Sequence, residues 1–414
     1  MAMGVMRGNG TRGNPWIVED GWDFNELRNL PANDADSVAF VELGANISLS
    51  MFANFVPIPS RWFNIDGRGH VISDFSIQAT AGNVGLFAEI NCTEYVRNLV
   101  IEGAVEAAHN VSNLTVGLLA GRVVLRRDGA VIENIEAYGE LTCSQTGSTS
   151  THGWGGITGR VEINSPVTLA SVNRCSFKGV ANLRFASTAS GAGPCGSFGG
   201  ITNAFNDGAT GAIIAFDNCV ADMTAFVDGT TNNTRGGRAG AIVGTVSGPS
   251  GWTERRSVTL TACIGRMRVN YTNTSAYNRQ MFLAGILGHN STSGTAAIAS
   301  NITRCAGFLE INYNPPVPVQ GVQRFLGLNG NSAGGAISAA SSYAVIRYSN
   351  PNNMELPSGS EVFGIGQNVT ITNAFFDLTV LRETWDGTIG NLAQGLTTAQ
   401  LQSRQFLESQ GWVF

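Results

Sequence analysis

Carboxylates cluster in one short stretch of the chain. Glu102 and Glu106 come first, then Glu133, Glu136 and Glu140. Paired acids can cleave glycosidic bonds. One protonates the leaving oxygen while the other attacks or activates water, at about 5–5.5 or 6.5–9.5 Å. Glu102, Glu136 and Glu140 are the candidates. Aligning the repeats described below sets Glu136 beside Val100 and Glu140 beside Ala104, on one outer face. Acids become sparse after residue 162, so a solvated face is expected rather than a long acidic groove. No catalytic residue is assigned, and the expected protein is not an enzyme.

Other chemical signatures are weaker. Gly8-Asn9-Gly10-Thr11-Arg12-Gly13 spells a dinucleotide motif, but it lacks a preceding strand, and Pro15 stands where a helix should begin. Gly330-Asn331-Ser332-Ala333-Gly334 spells a nucleophile elbow, yet His70, His109, His152 and His289 all precede it. No two histidines have metal-ligand spacing, and no cysteines form a C-x-x-C. Neither metal nor cofactor is expected. Trp154, Trp252, Tyr271, Tyr277 and Phe282 flank variable segments. They could stack on sugar rings, but packing between loops or subunits is the better reading.

The net charge is −5, and Lys178 is the single lysine beside 24 arginines. A mildly acidic surface gives no footprint for nucleic acid or an anionic membrane. The opening Met1–Gly8 has no basic stretch followed by an apolar run, so no secretory signal is expected. No stretch of about 18 apolar residues exists to span a membrane.

A repeated phrase must position all of these groups. Val84-Gly85-Leu86-Phe87-Ala88 returns as Val116-Gly117-Leu118-Leu119-Ala120 and Gly155-Gly156-Ile157-Thr158-Gly159. It returns again as Gly199-Gly200-Ile201-Thr202, Gly240-Ala241-Ile242-Val243-Gly244 and Ala284-Gly285-Ile286-Leu287-Gly288. Steps of this size mark a solenoid, with one coil per repeat favoured over two. A second phrase follows each copy: Val96-Arg97-Asn98-Leu99, Ile132-Glu133-Asn134-Ile135, Val172-Asn173-Arg174-Cys175, Phe216-Asp217-Asn218-Cys219, Leu260-Thr261-Ala262-Cys263 and Ile302-Thr303-Arg304-Cys305. Cys175, Cys219, Cys263 and Cys305 thus share one register with Leu99 and Ile135. Free Cys behaves as a small hydrophobe, so the four are expected to form a buried ladder of free thiols.

The ends differ from the repeats. Residues 1–15 read as an N-terminal arm and 16–50 as an N-terminal cap. The cap holds a short helix, Phe24 to Leu30, opened by an Asp23/Glu26 capping box. Residues 51–390 read as the β-helix repeats, with loops at 143–153, 186–198, 228–238, 270–280 and 312–332. Residues 391–414 read as a capping helix opened by Thr397 and Gln400, followed by a tail whose Trp412 and Phe414 seal the last coil.

Together these residues resemble the GLUG-repeat family, named for the glycine phrase and similar in turn to right-handed parallel β-helix proteins. The segment Asn14-Pro15-Trp16-Ile17-Val18, the later Asp66-Gly67-Arg68-Gly69-His70 and the ending Leu396-Thr397-Thr398-Ala399-Gln400-Leu401 … Gly411-Trp412 carry the likeness further. The resemblance implies an all-β, right-handed parallel β-helix (solenoid) with short capping helices at both ends. That family includes adhesins, exported proteins and viral structural proteins. The expected function is a structural protein of a virus particle: a phage decoration, spike or fibre component, assembled in the host cytoplasm. It would bind other virion proteins or itself, as a homo-oligomer in which a trimer is plausible, and could meet a host-surface glycan. The alternatives are a polysaccharide-cleaving or polysaccharide-binding β-helix tailspike and a bacterial surface adhesin.

Overall fold

Strand formers between glycines, repeated every 40 or so residues, leave the chain one economical solution: stack each repeat on the last. The computed structural model describes residues 6–31, 33–79, 82–109, 115–145, 153–185, 196–229, 237–247, 256–272, 281–291, 298–314, 323–333, 336–351, 360–385 and 389–409. Within them the chain is a parallel β-solenoid. Val172 pairs with Phe216, Phe216 with Leu260 and Leu260 with Ile302, all in parallel register. One repeat is therefore one coil.

A representative coil has four strands: Gly196–Gly199, Thr202–Asp207, Ile213–Asp217 and Val220–Gly229. The first strands of successive coils form an eight-stranded sheet, and the rest merge into a 27-stranded one. The glycine phrase is the corner between first and second strands. A Cβ at Gly199 would run into the Thr202 carbonyl oxygen, and one at Gly240 into that of Val243. Only glycine permits so sharp a reversal.

The second phrase is another corner. Arg68, Asn98, Asn134, Arg174, Asn218, Ala262, Arg304, Ser341 and Asn373 all adopt positive φ, between 47° and 55°. One left-handed residue per coil bends the backbone between third and fourth strands, and Asn tolerates this best. Asn134 Nδ2 donates to Asn98 Oδ1 at 3.0 Å, and Asn98 Nδ2 to Asp66 Oδ1 at 3.0 Å, so the corners are also laced together.

At every corner after the first, where exposed Gly69 follows Arg68, the next residue points inward. Leu99, Ile135, Cys175, Cys219, Cys263, Cys305, Ser342 and Ala374 are all buried, and the cysteines are free. Cys219 Sγ donates to the Val172 carbonyl at 3.5 Å, Cys263 to Phe216 at 3.5 Å and Cys305 to Leu260 at 3.3 Å. Each thiol thus satisfies a carbonyl of the preceding coil. Ser342 takes the same place with a hydroxyl, donating to the Ala340 carbonyl at 2.8 Å. Contact with the preceding thiol, followed by burial, raises the pKa of Cys219, Cys263 and Cys305 well above the ordinary thiol value.

The parallel ladder already begins at Trp16–Val18, which pairs with Ala39–Leu43. Helix α1 spans Gly21–Glu26 and runs into a 3₁₀ turn, Leu27–Asn29. Its N-cap is Asp20, not the expected Asp23: the Asp20 side chain accepts from the Trp22 and Asp23 amides, and Asp23 reaches back to the Glu19 amide. Two acids three residues apart offered two registers. The earlier one won because it starts the helix with Phe24 and Leu27 buried, Phe24 against Phe55 and Phe87.

At the other end, helix α2 (Leu378–Thr384) is capped by Asp377, and α3 (Thr398–Gln402) carries the expected Thr397/Gln400 capping box. Helix α4 spans Arg404–Ser409. Trp385, just after α2, packs edge-on against Tyr348 at 5.0 Å and Phe325 at 6.3 Å. Trp412 and Phe414 lie outside the described residues. The variable loops are shorter than expected: Gly153–Gly155, Gly196–Gly199, Gly237–Gly240 and Gln323–Leu326 are first strands of their coils. Their short, glycine-rich sequences hide a strand that is stabilised only by stacking. Fourth strands also run into those loops, to Gln145, Gly229, Tyr271 and Asn312, while 146–152, 186–195, 230–236, 273–280 and 315–322, including Pro315-Pro316-Val317-Pro318, fall outside the described residues.

Candidate functional site

Alternation along the fourth strands sends every second side chain outward. Stacking then turns each outward position into a column along the rod. One column reads Glu102, Tyr138, Lys178, Asp222, Arg266, Phe308 and Val345. Its neighbour reads Ala104, Glu140, Val180, Thr224, Arg268, Glu310 and Arg347. Glu136 pairs with Val100 and Glu140 with Ala104, the register expected from the repeats.

This face carries charge unevenly. Glu102, Glu106, Glu136 and Glu140 are exposed on its N-terminal strands; Arg266, Arg268 and Arg347 are exposed on its C-terminal strands. Tyr138, 37% exposed, stands among the acids and donates to Glu136 Oε2 at 2.8 Å. Glu136 and Glu140 are four residues apart on one strand, about 13 Å between Cα atoms, and Glu102 lies roughly 8 Å from Glu136 across the strand gap. All three are solvated on an open strand face. Beside them Asp66, Arg68, Asn98, Asn134 and Glu136 line a shallow depression of ≈ 520 Å³.

At the basic end the face becomes a groove of ≈ 400 Å³, lined by Asp222, Arg266, Arg268, Phe308, Glu310 and Arg347 and walled by Val380 and Thr398 of the C-terminal helices. The Arg266 guanidinium lies 5.3 Å from the Phe308 ring centre. Arg268 pairs with Glu310 at 3.1 Å. Arginine beside an aromatic can hold anionic or planar groups. Nothing in the sequence marked this groove, because its residues come from four different coils.

Two further polar sets are buried. On the second strands, Arg122 bridges Glu89 and Glu162. Asn91 Nδ2 adds a hydrogen bond to Glu89 at 2.8 Å, and Arg126 Nε donates to Asn91 at 2.8 Å. Burial drives Glu89 towards protonation, but its hydrogen bonds and the Arg122 charge outweigh this and hold its pKa below the usual carboxylate range. His289 is also buried, and its two ring nitrogens have no hydrogen-bond partner. It stacks edge-on to Phe282 at 6.2 Å and pairs with Thr245 in the preceding coil. Burial, helped by the Arg238 charge, lowers its pKa well below the ordinary value. Arg238 is itself pushed down to about 10 by burial.

The other sequence candidates disperse. Trp154, Tyr271 and Phe282 are buried, so they pack rather than stack on ligands; Trp252 and Tyr277 lie outside the described residues. His70 is half-buried and approaches Asn46 at 3.2 Å, while His152 lies outside the described residues. Gly8–Gly13 forms an antiparallel tight turn closed by Thr11 and Asn14, with no helix following. Gly330 stands in the second strand Asn329–Ala333 rather than at a strand-to-helix turn. Among the described residues no group of three or more His, Cys, Asp or Glu is placed to hold a metal ion. No helix among the described residues is long and apolar enough to cross a membrane.

No family model matches the chain. Over 180 residues it is 27% identical to halomucin of Haloquadratum walsbyi, a match covering 40% of this chain and 2% of that protein. The chain therefore spans a very small part of that relative's length. Among solved structures it is similar to one from Bacteroides ovatus described as a "putative immunoglobulin A1 protease". The TM-score is 0.50 at 17% identity, covering 82% of this chain and 86% of the other. That likeness is one of fold.

Proposed function

We propose that the chain is a non-enzymatic structural rod, displayed outside a cell as part of a larger assembly, with the fourth-strand face as its docking surface. The observation that supports this reading is the face itself. Its acids stand solvated on open strands rather than in a cleft, although Glu102 and Glu136 lie within the span of an inverting acid pair beside Tyr138, and its opposite charges are separated along the rod. Such a surface suits specific association with another protein surface better than it suits bond cleavage.

The finer form of the reading is a structural protein of a virus particle: a decoration, spike or fibre component. It rests on the likeness of the glycine phrase to GLUG repeats, which occur in viral structural proteins as well as in adhesins, and no family model matches the chain. The second alternative is a bacterial surface adhesin, for which the sequence match is the 27% identity to halomucin over 180 residues. A glycan-cleaving tailspike is the remaining alternative. Mass spectrometry of purified virus particles and of cell envelopes from the same culture separates the first two. Incubation with host-surface polysaccharide, followed by assay for new reducing ends, tests the third. Sugar release that Glu136→Gln abolishes would overturn the non-enzymatic reading.

A further inference from the structure

We propose that the fourth-strand face pairs with the same face of a second copy, with the two rods antiparallel and the two-fold axis lying in the interface along the strand direction. The inference rests on the reading of this face as a docking surface and names its partner. A two-fold axis in that orientation preserves each side chain's column and reverses the order of the coils. Place it midway between strands Ser176–Phe185 and Val220–Gly229. Strand Ala130–Gln145 then faces the second copy's Ile264–Tyr271, and Tyr95–His109 faces its Ala306–Asn312.

The side chains brought together are complementary position by position. Lys178 meets the second copy's Asp222, and Glu140 meets its Arg268. Tyr138 meets its Arg266, a cation over an exposed ring. Glu102 meets its Phe308, and Ala104 meets its Glu310. Arg347 falls opposite the second copy's Ser76, since Ser76 shares the column of Ala104. No like charges oppose one another, and each contact occurs twice. A two-fold along the rod axis would instead face each coil with itself and reverse the order of the columns, so that an axis through the Tyr138 column sets Glu136 against the second copy's Glu140.

The size also fits. Eight fourth strands, from Val71–Ala79 to Tyr343–Ser349, span about 35 Å at ~4.8 Å per strand, and four outward columns span about 20 Å. The face therefore offers roughly 700–800 Å² per copy, which is the standard size for a specific protein–protein interface.

Charge reversal tests the pairing in the full-length chain by sedimentation equilibrium, with melting curves recorded for every variant. Wild type should dimerise in the micromolar range and weaken as salt rises. Glu140→Arg alone and Arg268→Glu alone should each weaken self-association by about tenfold or more. An equimolar mixture of the two should restore dimers, and so should both changes in one chain. Arg268→Glu also removes the Glu310 ion pair, so Lys178→Asp and Asp222→Lys, exposed neighbours on adjacent strands, provide a second swap with the same expected pattern, their melting curves separating the contact within the chain from the one between copies. A wild type that stays monomeric at about 100 µM would overturn the proposal. So would single variants that associate as tightly as wild type, a mixture that is not rescued, or a trimer. A monomer found in purified particles would refute the pairing while leaving the docking role intact, and a dimer that releases sugar would do the reverse.

Discussion

Acidification should destabilise the fold through one buried side chain. His289 stacks on Phe282 beside the paired Thr245, near the Arg238 guanidinium, and burial lowers its pKa well below the usual value. An unfolded chain returns that imidazole to a pKa near 6.5. The folded pKa is depressed, so below about pH 6.5 the unfolded state binds the extra proton and the folded state does not. The stability contribution is therefore complete above pH 6.5 and is lost as pH falls below it. The loss approaches about 1.4 kcal/mol per pH unit while the folded imidazole stays neutral. At pH 5 it reaches about 2 kcal/mol. Guanidinium unfolding followed by tryptophan fluorescence between pH 5 and 7.5 measures it, with His289→Gln as reference. The amide leaves the slot polar but cannot titrate. Carboxylates and the other histidines titrate equally in both proteins and cancel in the difference. Wild type should lose about 2 kcal/mol more than the variant over this range, and parallel pH profiles would refute the assignment.

Three other outcomes follow from the core and the corners. Cys92, Cys143, Cys175, Cys219, Cys263 and Cys305 are buried, and burial pushes Cys92 up to about 12; Ellman's reagent at pH 8 should therefore leave these six thiols unmodified until denaturant is added, and native labelling of any of them, located by peptide mapping, would contradict the buried ladder. Arg122→Leu strands Glu89 and Glu162 at 11% and 10% side-chain exposure and should cost about 3 kcal/mol in denaturant unfolding; adding Glu89→Gln and Glu162→Gln should recover most of the loss, and a loss below about 1 kcal/mol would show the network to be solvated. Ala262 sits in the left-handed region at φ 53° without the local hydrogen bonding that Asn offers, so Ala262→Asn should stabilise by up to about 1 kcal/mol and raise the melting temperature; a lower melting temperature would mean that the corner selects for size.

The solenoid was legible because stacking is a one-dimensional rule written into the repeats. A glycine phrase marks one corner of every coil. The phrase before Cys175, Cys219, Cys263 and Cys305 marks the next, and the exchange of Cys with Leu99 and Ile135 shows which way that position points. The pairing of Glu140 with Ala104 followed from the same register. What the sequence left open depends on contacts between coils. The groove at Arg266, Arg268, Phe308 and Arg347 takes its residues from separate repeats, each unremarkable alone. Trp385 seals the last coils against Tyr348 and Phe325 because of where α2 turns, which no local pattern states. Asp20 rather than Asp23 caps α1 because burial of Phe24 and Leu27 chose between two equally good local signals. Periodicity along the chain determines which side chains share a column. Only the folded rod decides how columns from different coils combine into a surface, since charge and exposure arise from neighbours roughly 40 residues apart in sequence and ~4.8 Å apart in space.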